Sequence, residues 1–268
     1  MIKMTFFTLI GILISCAHDE SINDFSAIEP QPVNKDSPSI KSQPLSVKDS
    51  LNQQNIRNIQ DSVMASIGMV DISQLDSSIK VDIKYNTSDN FFKVQLYHYL
   101  DRAFFQRDVA ERLVKSQQYL SKIDSNLYLL IYDAARPVSV QKKMWKALDS
   151  IPPRKRGRFV ASGKNLSMHN LGVAVDITIC DQMGNPLDMG AGFDDPREIA
   201  YPKYEERFLS NGQLSADQVE NRKLLRKVMA NQGFWNLTTE WWHFTYGTRK
   251  MNLEKYKPLL TEPGVKEL

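Results

Sequence analysis

Two short stretches carry most of the side chains that could do chemistry. The first runs from Ser167 to Asp176, with one of the chain's four histidines, His169, seven residues before Asp176. The second is Glu240-Trp241-Trp242-His243. A hydrolytic zinc site needs three protein ligands drawn from neutral imidazole and carboxylate, with a further position open to water. It also needs a carboxylate that takes the water's proton without binding the ion. His169, Asp176 and His243 meet the first need, and Glu240 meets the second. Taken singly, neither stretch is specific, because a His and an Asp seven apart serve packing as readily as catalysis. In a regular strand Glu240 and His243 would point to opposite faces. A bulge, turn or strand end is therefore expected between them.

The elements that must position these residues are legible in part. After Gly172, Val173, Val175, Ile177 and Ile179 fall on one face of a strand. Gly172, Ala174 and Asp176 fall on the other, and small residues beside a lone carboxylate leave room for a ligand. "KVDIKY" (Lys80 to Tyr85) alternates as a strand, and "NLYLLIYDAARP" reads as a strand ending near Asp133. Phe104 to Lys122 carries a helical stripe of Val109, Ala110, Leu113, Val114 and Leu120. Ser139 is placed to cap a helix burying Val140, Met144, Trp145 and Leu148. Ser215 and Gln218 form a capping box for a helix with Leu224, Leu225, Val228 and Met229, closed by Gly233. "NLTTEWWHFTY" is β-branched and aromatic, hence a strand. Strands and helices mix without regular βαβ alternation, which predicts an α+β fold with a mainly antiparallel sheet.

The chain of 268 residues, 42% hydrophobic and 24% charged, suffices for one sizeable core and a tail. A net charge of +3 and the lack of a large basic block argue against a nucleic-acid partner. No protein partner is evident either. The densest basic run, "PPRKRGR" (Pro152 to Arg158), reads as a solvated loop or as the rim of a site for an anionic substrate. At the start, Lys3 is followed by an apolar run from Met4 to Ile14, too short to span a membrane comfortably. Leu13-Ile14-Ser15-Cys16 resembles a bacterial lipobox, so residues 1–15 are expected to be a lipoprotein signal peptide. Cys16 would then carry the lipid, and the protein would sit in the cell envelope, anchored to a bacterial membrane. The alternative is an ordinary secretory signal with an incidental cysteine. Residues 16–67 read as a flexible polar tether, with a weak helix over 49–66, and 68–268 as the globular domain. With Cys16 lipidated, Cys180 has no disulfide partner. It falls on the face of Asp176 but roughly 13 Å along the strand, and is expected to pack. His98 is expected to be structural or exposed, and His18 belongs to the tether.

Together, Ser167-x-His169-x-x-Gly172-x-Ala174-x-Asp176 and Glu240-x-Trp242-His243 resemble the zinc D-Ala-D-Ala peptidases of the M15 type. "VDIKYNTSDNF" (Val81 to Phe91), "DAARP" (Asp133 to Pro137) and "MGAGFD" (Met189 to Asp194) look like the D-alanyl-D-alanine dipeptidase branch. The likeness covers about residues 68 to 260. It implies a hedgehog/D,D-peptidase-like fold, with helices packed on an antiparallel sheet that holds one Zn2+. It also implies roles. His169, Asp176 and His243 would bind the ion, and Glu240 would act as general base and then acid. Arg136 would stabilise charge on the scissile carbonyl oxygen, Asp194 would hold the substrate's free amino group, and Ser167 and Tyr85 would help at its carboxylate end. Arg136 follows a strand end and can project into a cleft; its rival reading is a surface salt bridge with Asp133. Asp195 is a rival to Asp194. The implied activity is hydrolysis of the small substrate D-Ala-D-Ala. The competing functions are a D,D-carboxypeptidase trimming peptidoglycan stem peptides and a non-catalytic cell-wall-binding lipoprotein. A serine hydrolase built on Ser167 lacks any nucleophile elbow.

Overall fold

The computed structural model describes residues 47–157, 160 and 165–265. The expected signal peptide, Cys16, His18 and the first part of the tether lie outside the described residues. The chain enters through helix α1 (Val47–Ser66). Gln60 and Met64 on α1 are fully buried, and the compact unit runs from Ser46 to Leu268. The folded region thus begins well before the boundary expected at residue 68. The reason is that α1 sends few apolar side chains into the core and is otherwise polar, a pattern that in sequence resembles a tether.

Strand β1 (Met69–Asp71) pairs antiparallel with β3 (Phe104–Gln106), and helix α2 (Arg107–Ile123) follows at once. The helical stripe predicted from Phe104 therefore starts three residues late, because Phe104 to Gln106 pair with β1. Val109, Ala110, Leu113 and Leu120 are buried on α2 as expected, and Val114 is half-buried.

The second sheet has the order β2-β4-β5-β7-β6, formed by β2 (Lys80–Val81), β4 (Tyr128–Asp133), β5 (Ala174–Cys180), β7 (His243–Tyr246) and β6 (Phe234–Asn236). All its pairings are antiparallel except β2 with β4, which run parallel. The strand expected over Lys80–Tyr85 ends after two residues. The chain then bends into a 3-10 turn, Lys84–Asn86, that buries Tyr85. Asn90 fixes this bend by donating its amide to the carbonyls of Lys84, Thr87 and Val94. Every residue of β5 is buried. Its two faces are therefore both covered, and the small-residue face looks into the site instead of into solvent.

Helix α3 (Val138–Ala147) is capped by Pro137, not by Ser139, which lies inside its first turn. The first amides of a helix lack intrahelical partners. Here the C-terminal segment supplies them, the Leu259 and Leu260 carbonyls accepting from Val138 and Ser139 at 2.9 and 3.0 Å. Val140, Met144 and Leu148 are buried, while Trp145 is only half-buried. Within the basic run, Pro153–Arg156 form a short helix, α4, tied down by Arg156 donating to the carbonyls of Ile151, Trp145 and Asp149, while Arg158 lies outside the described residues. After α5 (Glu205–Ser210), helix α6 (Ala216–Ala230) starts on the expected Ser215–Gln218 capping box. Helix α7 (Arg249–Lys255) follows β7.

Candidate active site

His169 sits in a 3-10 turn, Met168–Leu171, that leads into β5. Ser167 caps the turn, and the Asn170 side chain accepts in return from the Ser167 amide at 2.7 Å. Gly172 leaves it with φ +66 and is packed so closely that a Cβ would stand 2.8 Å from Met69 Cε and 3.2 Å from the Gln106 nitrogen. Only glycine combines that dihedral with that approach. Asp176 and His243 are direct partners across β5 and β7. Their side chains therefore share a face, and the turn brings His169 over the same spot.

The three donor atoms form a tight triangle. His243 Nδ1 is 2.9 Å from Asp176 Oδ1, His169 Nε2 is 3.3 Å from that oxygen, and the two imidazole nitrogens are 3.2 Å apart. Each outer ring nitrogen has its own partner, His169 Nδ1 at the Ala134 carbonyl, which can only accept (2.8 Å), and His243 Nε2 at Thr245 Oγ1, which can accept or donate (3.2 Å). The carbonyl places the His169 proton on its outer nitrogen and turns that lone pair inward, and Thr245 can accept from His243 in the same arrangement. Three inward lone pairs repel one another unless a cation lies among them. Tetrahedral coordination at roughly 2.0–2.2 Å implies donor spacings of about 3.4 Å, close to those seen. The residues fit a metal ion. Burial works against charge on Asp176; with no ion in place, His169 and His243 would hold its carboxyl well below the usual range only by turning protons toward it, the role a bound cation takes over.

Glu240 reaches the triangle because the chain turns. The single strand expected over "NLTTEWWHFTY" is broken: Asn236 ends β6, residues 237–242 form a tight turn, and His243–Tyr246 form β7. Asn236 shapes that turn by donating to the carbonyls of Glu240, Trp241 and His243 at 2.9–3.3 Å. Glu240 Oε2 then lies 3.9 Å from His243 Nδ1. Burial raises the Glu240 carboxyl to about 7; His243 opposes this, and Asp176 and Asp194 add to it. A carboxyl in that range can both take and return a proton near neutral pH.

Arg136 is buried, and its rival role as a surface salt bridge is corrected only in part. It does pair with Asp133, at 2.6 and 2.8 Å, but the pair is buried and the guanidinium lines the cavity. Burial opposes its charge, yet Asp133 above all keeps it firmly cationic. Nη1 also donates to Gln141 Oε1 (3.1 Å), and the guanidinium carbon lies 5.1 Å from the centre of the Tyr85 ring. Asp194 has φ +59 and accepts from the Tyr85 hydroxyl at 2.8 Å. Burial raises its carboxyl to about 7, against the bond from Tyr85. Asp195 is bound instead by Arg197, at 2.6–3.1 Å. Tyr85 therefore stands with Asp194, the residue the resemblance assigns to the substrate's amino group, whereas the resemblance pairs it with Ser167. Ser167 lines the cavity, with its Oγ accepting from the His169 amide.

Tyr85, Arg136, Ser167, His169, Asp176, Asp194, Glu240 and His243 line one cavity of about 530 Å³, walled also by Phe91, Phe92, Tyr201, Trp235 and Trp242. The residues that sequence reasoning missed are the supports. Tyr97, Asp133 and Gln141 hold Arg136, directly or through one bond, with the Tyr97 hydroxyl donating to Asp133 Oδ1 at 2.7 Å. Asn236 holds the Glu240 turn. None of them shows a periodic signal, and only Asp133 sat in a motif. Cys180 is buried and stays outside the site, as expected, with burial pushing its thiol up to about 11. His98 is exposed.

The profile of the M15 peptidases, described as D-ala-D-ala dipeptidase, matches residues 65–257, most of the chain. This chain belongs to that family. It is similar to the D-alanyl-D-alanine dipeptidase of Escherichia coli K12, 32% identical over 176 residues, 66% of this chain and 83% of the relative. The enzyme of that name from Enterococcus faecium is 27% identical over 66% of this chain and 91% of its own length. That from Synechocystis is 29% identical over 52% and 67%. This M15 peptidase is thus an enzyme whose His169–Asp176–His243 triangle lies inside the matched region and forms a group that could hold a metal ion.

Proposed function

We propose that this M15 peptidase hydrolyses free D-Ala-D-Ala to two D-alanines with the help of one zinc ion. The observation that carries the reading is Asp194. A carboxylate fixed by Tyr85 stands in the same cavity as the His–Asp–His triangle, where the ammonium of a short substrate would need it. The names of the relatives support the same substrate. Two imidazoles and one carboxylate are a donor set that suits zinc. A zinc ion held by His169, Asp176 and His243 would supply Lewis acidity to the scissile carbonyl and acidify a water.

The chain's own residues supply the rest. Asp194 holds the ammonium end, and Ser167, which also lines the cavity, is available to the carboxylate end. Glu240 takes a proton from the attacking water as its oxygen bonds to the carbonyl carbon. Arg136 faces the negative charge that then forms on the carbonyl oxygen; losing one such group costs roughly 3–4 kcal/mol. Glu240 passes the proton to the leaving nitrogen as the carbon–nitrogen bond breaks. The aromatic walls exclude bulk water and strengthen each of these interactions.

Cys16 carries the lipid in this reading, so the enzyme acts in the cell envelope, on dipeptide released or salvaged there. A D,D-carboxypeptidase remains a second reading, favoured by a cavity larger than a dipeptide needs. A purely binding role has no use for Glu240. The deciding experiment compares free D-Ala-D-Ala with an N-acylated stem peptide, with and without chelator. Preference for the free dipeptide that vanishes with chelator is the expected result. Equal cleavage of the stem peptide would establish the carboxypeptidase instead.

A further inference from the structure

The loop that presents Asp194 has both of its ends in the grip of one side chain. Arg222, on α6, is fully buried. It donates from Nε to the Met189 carbonyl at 2.7 Å and from Nη2 to the Ile199 carbonyl at 3.0 Å. Its Nη1 faces Glu205 Oε1 at 3.5 Å. Two neighbours on the same helix face reinforce the hold. Gln218 donates to the Asp188 carboxylate and Asn221 to the Asp188 carbonyl, at 2.8 and 2.9 Å. Gly190, with φ +72, comes so close that a Cβ would lie 2.7 Å from Gln218 Oε1.

Burying a guanidinium is costly, and an apolar side chain of similar size would fill the space more cheaply. What an apolar residue cannot do is hold two carbonyls at once. The planar fork of arginine fixes their separation, as a lysine ammonium cannot. Between those carbonyls runs the segment with Asp194, whose backbone sits in the left-handed region. A residue other than glycine stays there only where its surroundings hold it.

We propose that Arg222 is the positioning residue for Asp194: it clamps the 189–199 loop at both ends and so presets the carboxylate for the substrate's ammonium. The proposal rests on the reading of Asp194 given above. Arg222 is not among the residues that line the cavity and acts only through the loop.

The test uses Arg222→Lys and Arg222→Met in the full-length, zinc-loaded protein. Glu205 keeps Arg226 at 2.6 and 2.8 Å, so neither variant leaves it unpaired. For free D-Ala-D-Ala, kcat/KM should fall at least ~10-fold, chiefly through KM, because a misplaced partner forfeits most of a charged hydrogen bond. For N-acetyl-D-Ala-D-Ala, which has no ammonium, the change should stay within about threefold, and zinc content should hold. Amide exchange over 190–198 should quicken, and Lys should recover part of the loss. Combined with Asp194→Asn, the two losses should fall short of additive, since both remove one interaction. Equal losses on both substrates, additive losses or unchanged exchange would overturn the clamp. If the Arg222 variants do not fold, Gln218→Ala with Asn221→Ala loosens the same grip, and an unchanged substrate ratio there overturns it too. A wild type with no preference for the free dipeptide sinks the reading of Asp194 and the proposal with it. A wild type with that preference, and an Arg222 variant that keeps it, sinks the proposal alone.

Discussion

Replacing Asp194 with Asn should weaken the enzyme on its substrate and strengthen the fold. Asparagine keeps the shape, tolerates φ +59 and can still accept from the Tyr85 hydroxyl. Burial lifts the Asp194 carboxyl from 3.8 to about 7. Below the lower value the folded and unfolded chains both hold the proton. Between the two values the unfolded chain releases it and the folded chain does not, so the native state loses stability as pH rises. Above about 7 the loss is complete and constant. At about 1.4 kcal/mol per pKa unit the full shift would be worth about 4 kcal/mol. Asp194 is only half-buried, and solvent screening reduces this to roughly 1–2 kcal/mol. The Asn variant should therefore match wild type in Tm near pH 4 and exceed it by a few degrees near pH 8, at about 2–4 °C per kcal/mol. On free D-Ala-D-Ala its kcat/KM should fall about 10- to 100-fold, the worth of a charged hydrogen bond. In wild type, the ratio of kcat/KM for the free over the N-acetylated dipeptide should drop as pH falls through about 7. Glu240 serves both substrates and cancels in that ratio. Thermal scans across pH and steady-state rates on both dipeptides measure all of this. An Asn variant less stable than wild type at pH 8, or one with an unchanged substrate ratio, would refute the reasoning.

Glu240→Gln should keep its metal and lose about 100- to 10,000-fold in kcat, the range of a general acid–base group; metal analysis beside the assay separates this from loss of the ion. His169→Ala or His243→Ala should lose metal and activity together, and wild type treated with chelator should recover on adding zinc; activity in fully demetallated protein would rule out the metallopeptidase reading. Gly172→Ala should lower Tm and slow turnover, because the new methyl meets Met69 at 2.8 Å and the dihedral is unfavourable; a wild-type Tm would show that the turn yields easily. Cys16→Ser should move the protein from the membrane to the soluble envelope fraction without changing the activity of the purified enzyme, as cell fractionation would show.

Local pattern carried the parts of this protein that local physics controls. The α2 stripe, the α6 capping box and β4 follow from periodicity and turn chemistry, and the structure keeps them nearly as read. Where a distant partner decides, the reading drifted. Phe104 to Gln106 looked like the start of a helix until β1 paired with them. Pro137 caps α3 because the C-terminal segment supplies acceptors for its first amides. The polar helix α1 earns its place through Gln60 and Met64, too few to stand out in a tether-like composition.

The site divides in the same way. His169, Asp176, His243 and Glu240 could be named from the sequence, because they are residue types that metal-assisted hydrolysis uses and because the two stretches together resemble the M15 peptidases, though neither stretch alone is specific. The sequence also required a break between Glu240 and His243, since a regular strand would part them. It could not show what brings the four together. That is settled by the β5–β7 register, which sets Asp176 beside His243, and by the Gly172 turn, which lays His169 over them. Nor could it choose between Asp194 and Asp195, which are chemically identical neighbours. Tyr85, 109 residues away in the chain, bonds the first, while Arg197 occupies the second. Residue chemistry is written locally, but the distance between two side chains depends on every strand and turn that separates them, and only the folded chain fixes it.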